Sequence, residues 1–354
     1  MLEMVSRWYK RRFSDPHAVS LVAILFFGFI TIYFFGNLIA PLLVAIVLAY
    51  LLEWPVAHLS RFGIPRTLAV VLVIVSFFAL AIIAIFGLVP TIWQQVGNLI
   101  NDIPNMYAGL QKVIAELPVK YPELANFQIV ESLVTNAKNQ VISVGETVVK
   151  GSLASLVSIA TLAVYLILVP LLVFFLLKDK EEMIAMASGM LPRNRKLATK
   201  VWDEMNEQIS NYIRGKVMEI LIVGSVSYVT FAILDLRYSV LLAVAVGFSV
   251  LIPYIGAAAV TVPVAIVGLF QWGLAPEFYY LLIAYGIIQA LDGNVLVPVL
   301  FSEAVNLHPV AIIVAVLVFG GLWGFWGVFF AIPLGTLVKA VWNALPGPED
   351  HEAV

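Results

Sequence analysis

The sequence contains no cysteine and few charged residues. Without cysteine among its 354 residues, the chain has no disulfide, no thiol nucleophile and no thiolate metal ligand. Charged residues make up 12% of the sequence and hydrophobic residues 62%, whereas a soluble domain has about 25% charged residues and about half apolar residues. Because so few charges cannot cover the surface of a soluble protein of this length, the composition predicts a membrane protein.

The common motifs of enzymes and of nucleic-acid binding are also missing. The sequence has no phosphate-binding loop, no Gly-x-Ser-x-Gly, no His-Glu-x-x-His and no EF-hand pattern. The net charge of −2 argues against a nucleic-acid partner, because phosphate binding needs a basic surface. We therefore predict that the protein is not an enzyme and has no catalytic residues, no cofactor and no metal site. Without a nucleotide site, energy coupling would have to come from an ion or solute gradient.

Eight apolar stretches are long enough to form transmembrane helices. They lie at 18–36, 38–57, 67–92, 152–177, 217–234, 239–270, 278–300 and 308–343. The predicted fold class is an all-α polytopic membrane protein of about eight transmembrane helices. Some of these helices are predicted to be broken or re-entrant in the C-terminal half, and amphipathic helices are predicted outside the bilayer.

Two polar segments divide these stretches into regions. Apolar residues recur every three or four positions at 129–148 and at 197–217, as in helices that lie on a membrane surface or pack against other helices. The predicted regions are transmembrane helices 1–3 in 1–92, an extracytoplasmic segment at 93–151, a fourth transmembrane helix at 152–177, a cytoplasmic segment at 178–216, a C-terminal transmembrane region at 217–343 and a cytoplasmic tail at 344–354.

The distribution of basic residues predicts the orientation. If each stretch crosses once, most of the 20 lysines and arginines fall on the side of the N-terminus. Because basic loops stay in the cytoplasm, both termini are predicted to be cytoplasmic. Asn37 and Pro41, between the first two stretches, are predicted to form a tight outer turn.

The sixth stretch, at 239–270, is too long to be one straight transmembrane helix. A single helix of this length would extend about 48 Å at 1.5 Å per residue, whereas the hydrocarbon core is about 30 Å thick. Pro253, Tyr254 and Gly256 lie near its middle and predict a break there. Such breaks are tolerated where they are buried in protein or line a watery cavity. A proline kink without a ligand is the alternative.

Asp292 lies deepest of the acidic residues in the apolar stretches. A carboxylate at the centre of a transmembrane helix costs about 2.5–3.5 kcal/mol on insertion scales. Asp292 is therefore a candidate to bind a cation, carry a proton or orient a polar solute. The alternative is a structural acid paired with a backbone amide or a base. Gln289, Asn294 and Pro298 beside it add polar groups and a backbone irregularity.

Five further candidates lie near the C-terminus. Asn306 and His308 fall at the end of a stretch, where the histidine is either a proton carrier that titrates near neutrality or a helix cap. Gly320 and Gly324 have the spacing that lets two helices approach closely. Together with neighbouring glycines and Pro333, they instead indicate a bend or a re-entrant break.

Several motifs resemble signatures of the autoinducer-2 exporter superfamily, and the resemblance covers most of the chain. The motifs lie at 175–179, 252–256, 292–298, 305–310 and 320–334. The resemblance implies a multi-pass protein of the bacterial inner membrane, in contact with lipid, that forms a homo-oligomer. Members of this family are assigned to export of the signal autoinducer-2, and others to sodium/proton antiport.

Three functions remain open. The first is a secondary permease that exports a small solute along a path in 239–334, with Tyr254, Gln289, Asn294 and Asn306 as hydrogen-bonding groups. The second is a sodium/proton antiporter centred on Asp292. The third is a membrane scaffold without transport activity, which holds partner proteins with its two amphipathic segments.

Known antiporters more often use paired acids, so a single deep acid weakens the antiporter hypothesis. The sequence indicates no second deep acid. Lys216 and Glu219 open the fifth stretch, where their i, i+3 spacing predicts an ion pair. We interpret this pair as structural.

Overall fold

The computed structural model describes residues 16–120, 155–189, 196–301 and 307–344. Every regular element in these residues is helical, as predicted from composition. The helices are α1 (Pro16–Arg61), α2 (Arg66–Lys120), α3 (Ser155–Lys178), α4 (Lys180–Gly189), α5 (Lys196–Ile233), α6 (Ser239–Ser249), α7 (Ile255–Trp272), α8 (Pro276–Leu291), α9 (Val297–Phe301), α10 (Pro309–Phe329) and α11 (Ala331–Ala344). A π-helical turn, Asp292–Leu296, joins α8 to α9.

Six helices in the described residues are long and apolar enough to cross a membrane, and shorter apolar helices such as Ser239–Ser249 accompany them. The chain is therefore an all-α, multi-pass membrane protein, as predicted. The predicted amphipathic stretch at 129–148 and the tail beyond residue 344 lie outside the residues that the structure describes.

The first helix shows that the predicted turn at Asn37 and Pro41 was wrong. α1 runs without interruption over 46 residues and contains Pro41 in its interior. Its length is about 69 Å at 1.5 Å per residue. A proline removes only one hydrogen bond of a helix, and the apolar sequence on both sides favours continuation. The two predicted N-terminal stretches are thus one helix, and α2 likewise continues past residue 92 to Lys120.

Helices α1, α2 and α3 pack around one apolar cluster. Its buried members are Ala45, Leu52, Val56, Ala69, Val70, Val73, Ile74, Val169, Val173 and Leu177. At one end, the guanidinium of Arg66 donates to the carbonyl of Leu177 through Nη2 at 2.9 Å and through Nε at 3.2 Å. The Glu53 carboxylate pairs with both Arg66 and Lys180. These bonds tie the start of α2 to the end of α3 and to α1.

The amphipathic stripe predicted at 197–217 is part of α5, which continues without a break to Ile233. Val201, Met205 and Ile213 on this stripe are buried. The stripe therefore packs against the protein's own helices, which was one of the two interpretations of its periodicity. Further along α5, Val223 and Phe231 join an apolar cluster with residues of α6, α7 and α8.

The predicted break in the sixth stretch is confirmed. α6 ends at Ser249 and α7 begins at Ile255, and Tyr254 between them has a φ of 64°. Gly256 is required at this break, because a Cβ atom on it would overlap the backbone oxygen of Ser249. The bend predicted in the glycine-rich stretch is also present, since Gly324 in α10 has a φ of 58° and a ψ of −131°.

Replacement of Gly256 by alanine should destabilise the protein. The added methyl group must displace the Ser249 backbone, and such overpacking typically costs about 1–3 kcal/mol. Gly286→Ala in α8 is the matched control, because no atom lies within 4 Å of the position that a Cβ would take there, and alanine is about 0.5–1 kcal/mol better than glycine within a helix. Thermal unfolding in detergent should show a lower midpoint for Gly256→Ala only. Equal midpoints for both variants would contradict the tight contact.

Candidate functional site

A cavity of about 590 Å³ lies in the C-terminal half of the chain, where its interrupted helices meet, and its wall is mostly apolar with several polar side chains. This volume is within the range of about 300–1,000 Å³ that is usual for small-molecule sites. Residues of α5, of the α6–α7 break, of the end of α8 and of the π-helical turn form much of its wall. The polar and charged side chains of the lining are Tyr212, Lys216, Glu219, Tyr254, Gln289 and Asp292.

The most buried charges of the cavity belong to Lys216 and Glu219, which are 4% and 2% exposed. The Lys216 ammonium donates to Glu219 Oε2 at 2.7 Å and to the carbonyl oxygen of Val250 at 2.8 Å. It also lies 5.2 Å from the centre of the Phe301 ring. The i, i+3 ion pair forms as predicted, and the structure adds that the pair belongs to the cavity wall.

The bond to Val250 explains why a lysine stands at this position. Val250 follows the last residue of α6, and the last carbonyl groups of a helix have no partner within it. A cation is also favourable at a helix C-terminus, because the helix dipole is negative there. Lys216 therefore caps the broken end of α6, and Glu219 balances its charge.

Glu219 is a second acid of the cavity, which sequence reasoning placed only at the start of the fifth stretch. It lies within α5 and lines the same cavity as Asp292. Buried ion pairs are weak contributors to stability, because their desolvation offsets most of their attraction. The attraction within this pair is therefore only a small net contribution to stability, apart from the bond by which Lys216 caps α6.

Gln289 and Asp292 bring two unpartnered polar atoms to the cavity. Gln289 Nε2 and Asp292 Oδ1 are both buried and have no hydrogen-bond partner in the part of the chain that the structure describes. Buried polar atoms are nearly always hydrogen-bonded, so these two enclosed atoms lack the partners that such atoms usually have. Asp292 begins the π-helical turn, and turns of this kind are frequent at functional sites.

Two tyrosines of the lining differ in their exposure. The Tyr212 hydroxyl is buried and donates to the carbonyl of Phe329 at 2.8 Å, which links α5 to the end of α10. Tyr254 stands at the α6–α7 break and is 60% exposed. The lining thus includes one tyrosine whose hydroxyl is engaged and one whose side chain is accessible.

The structure brings together several of the predicted site residues. Those that line the cavity are Pro253, Tyr254, Gln289, Asp292 and Pro298. Gly256 does not line it, but this residue permits the break at which Pro253 and Tyr254 lie.

The other predicted candidates are elsewhere. Asn294 is exposed and donates to the carbonyl of Ala290 at 2.8 Å, so its amide is engaged on its own helix. His308 is the N-cap of α10, where its Nδ1 accepts from the backbone N–H of Val310 at 3.3 Å. Gly320, Gly324 and Pro333 belong to the α10–α11 bend and are not part of the cavity lining. Asn306 lies outside the residues that the structure describes.

A second polar cleft lies between α2 and the turn before α6. Its lining consists of Gln95, Asn98, Asn101, Asp102, Arg237 and Tyr238. The Tyr238 hydroxyl donates to Asp102 Oδ2 at 2.5 Å. Burial, together with this bond to the carboxylate, raises the pKa of Tyr238 to about 12. Gln95 Oε1 accepts from the backbone N–H of Leu241 at 2.8 Å, so the cleft is bridged by bonds between α2 and the C-terminal half.

The described residues contain no group of three or more histidine, aspartate or glutamate side chains that could hold a metal ion. The cavity lined by Gln289 and Asp292, called the main cavity below, offers hydrogen bonding and charge to a small polar molecule. Its unpartnered atoms supply one donor and one acceptor, and a neutralised ion pair lies beside them.

Comparison with known proteins shows the family. The model of the AI-2E family transporter matches residues 19–347. The chain is 57% identical over 346 residues to "Putative permease PerM" of Escherichia coli K12, covering 98% of each chain. It is 27% identical over 319 residues to "Putative transport protein YueF" of Bacillus subtilis, covering 87% of this chain and 84% of the relative. It is 24% identical over 319 residues to "AI-2 transport protein TqsA" of Escherichia coli K12, covering 86% of each. The chain therefore belongs to the AI-2E family of membrane transport proteins.

Proposed function

We propose that this protein is a secondary permease that exports a small polar solute across the bacterial inner membrane through the main cavity. The observation that carries the proposal is the pair of buried, unpartnered atoms, Gln289 Nε2 and Asp292 Oδ1, in a cavity large enough for such a solute. The absence of a nucleotide-binding motif from the sequence favours a secondary mechanism.

The hydrogen-bonding capacity of these two atoms indicates which kind of solute would bind. Gln289 Nε2 donates a hydrogen bond and the Asp292 carboxylate accepts one. A hydroxyl group can satisfy both, because it is donor and acceptor at once. The two residues are three positions apart at the end of α8, a spacing that puts side chains on neighbouring positions of a helix face. Both residues line the same cavity, so one small solute there would lie beside both side chains.

The interrupted helices support a transport role for this cavity. The α6–α7 break and the π-helical turn both contribute to its wall. Secondary transporters form solute and ion sites from discontinuous helices of this type. Irregular backbone at membrane depth is tolerated only where it is buried in protein or lines a cavity.

Autoinducer-2 is the first solute to test, because the relative TqsA is named an AI-2 transport protein. The direction of transport, a homo-oligomeric assembly and cytoplasmic termini are further parts of the proposal. They are supported by the resemblance to exporters of this family and, for the termini, by the distribution of basic residues.

Sodium/proton antiport is the alternative function that the experiment must distinguish from solute export. Glu219 supplies a second acid in the cavity of Asp292. Its carboxylate, however, is bound to the Lys216 ammonium at 2.7 Å. A carboxylate that is already neutralised by a buried lysine is poorly suited to exchange a proton for sodium, so we place the solute permease first.

Gln289→Ala and Asp292→Asn should both slow solute movement. Loss of a hydrogen bond between neutral groups costs about 0.5–1.5 kcal/mol and loss of one to a charged group about 1.5–3 kcal/mol. We therefore expect a rate reduced about 3- to 10-fold for Gln289→Ala and more than about 10-fold for Asp292→Asn. The measurement is the initial rate of labelled autoinducer-2 and of small polyols in proteoliposomes, at a fixed amount of folded protein.

The matched controls are Asn294→Ala, an exposed amide near Gln289, and Glu277→Gln, an exposed acid at the start of α8. Both should transport at the wild-type rate. The proposal fails if folded protein moves none of these solutes, or if the two cavity variants transport as fast as the controls. Sodium-driven proton movement that is lost in Asp292→Asn would support the antiporter instead.

A further inference from the structure

We propose that Glu219 sets the charge selectivity of the cavity, so that it admits cationic and neutral solutes and excludes anionic ones. By holding the Lys216 ammonium, Glu219 removes the positive charge that an anionic solute would seek. This inference rests on the proposed function, because it concerns the solute that enters the same cavity.

The Lys216 ammonium is already engaged by the protein. It donates to Glu219 and to the Val250 carbonyl, at 2.7 and 2.8 Å, and it lies near the face of the Phe301 ring. With only 4% of the residue exposed, it offers no open face to a carboxylate or phosphate group. Lysine is thus present in the cavity wall without acting as an anion site.

The charge that a solute meets is that of Asp292. Among the described lining residues, the charged side chains are Lys216, Glu219 and Asp292. When both carboxylates are ionised, two carboxylates against one ammonium leave the cavity with an excess of negative charge. Asp292 is only partly buried and lines the cavity, and among the described residues no base is paired with its carboxylate as Lys216 is with Glu219. Inside a protein this charge is felt more strongly than in water, because the effective dielectric constant is lower.

The three charges make the effect of each substitution predictable. Glu219→Gln leaves one ammonium and one carboxylate, so the excess of negative charge is lost and Lys216 can attract an anion. A second substitution, Lys216→Met, removes that ammonium and restores the excess carried by Asp292. Selectivity should therefore change in the single variant and return in the double variant.

A purely structural ion pair would behave differently. Removing one partner of a buried pair destabilises a protein because an uncompensated charge is left, while removing both is often tolerated. That role would change the stability and the amount of folded protein but would leave the preference among solutes unaltered. The order of preference is therefore the readout that separates the two roles.

Three probes of similar size and different charge test the proposal. They are ethanolamine as the cation, ethylene glycol as the neutral molecule and glycolate as the anion. Binding is measured as the thermal shift of the purified full-length protein in detergent, over a concentration series of each probe. The same probes are then followed in proteoliposomes.

Wild-type protein should bind ethanolamine most tightly, then ethylene glycol, with glycolate at least about tenfold weaker than ethanolamine. In Glu219→Gln, the affinity for glycolate should come within about threefold of the affinity for ethanolamine. The double variant, Lys216→Met with Glu219→Gln, should restore the wild-type order of affinities. Asp292→Asn leaves the buried pair intact and should lose the preference for ethanolamine. This variant tests the charge argument even if Glu219→Gln does not fold. Glu277→Gln should keep the wild-type order.

The proposal is overturned if wild-type protein binds glycolate as tightly as ethanolamine, or if the order stays the same in folded Glu219→Gln and Asp292→Asn. Its failure can be told apart from failure of the proposed function. Charge-selective binding without any movement of solute into liposomes would contradict transport and leave the selectivity standing. Transport without a charge preference would support the proposed transport function and contradict the charge selectivity.

Discussion

The bond between the Lys216 ammonium and the Val250 carbonyl makes the interrupted architecture of the C-terminal half feasible. α6 stops in an apolar region, and its last carbonyl groups need partners that its own helix cannot supply. A buried polar group left without a partner costs about 1–3 kcal/mol, and more if it is charged. Lys216 satisfies Val250 and Glu219 together. The break, the ion pair and the cavity they share therefore form one interdependent unit.

The N-terminal half of the chain contains long continuous helices, and the C-terminal half contains interrupted ones. α1 and α2 are continuous over 46 and 55 residues and pack with α3 around an apolar cluster. The C-terminal half contains the α6–α7 break, the π-helical turn at Asp292 and the bend at Gly324. Two of these irregularities contribute directly to the cavity wall. Tyr254 and Asp292 therefore reach the cavity from irregular backbone, whereas Tyr212, Lys216 and Glu219 reach it from the continuous helix α5.

The sequence predicts the breaks better than it predicts which side chains face the cavity. Excess length with proline and glycine locates the break at Pro253–Gly256, but the local turn signals at Asn37 and Pro41 are overridden within a continuous helix. The i, i+3 spacing predicts the Lys216–Glu219 pair, whereas its third partner, Val250, is 34 positions along the chain and depends on the packing of α5 on α6. The π-helical turn shifts the phase of the side chains after Asp292, and Asn294 within this turn is exposed rather than part of the cavity lining.

The most direct test of a solute path through this cavity uses the absence of cysteine from the sequence, since a single introduced thiol is then the only one. Ala257 lines the cavity, and Val264, two turns further along α7, is fully buried in an apolar cluster. Labelling of Ala257→Cys and Val264→Cys in proteoliposomes with a small charged thiol reagent compares the two positions. The account predicts that the cysteine at 257 reacts and is protected by transported solute, while the cysteine at 264 does not react. A cysteine at 257 as inert as that at 264 would contradict a water-filled solute path.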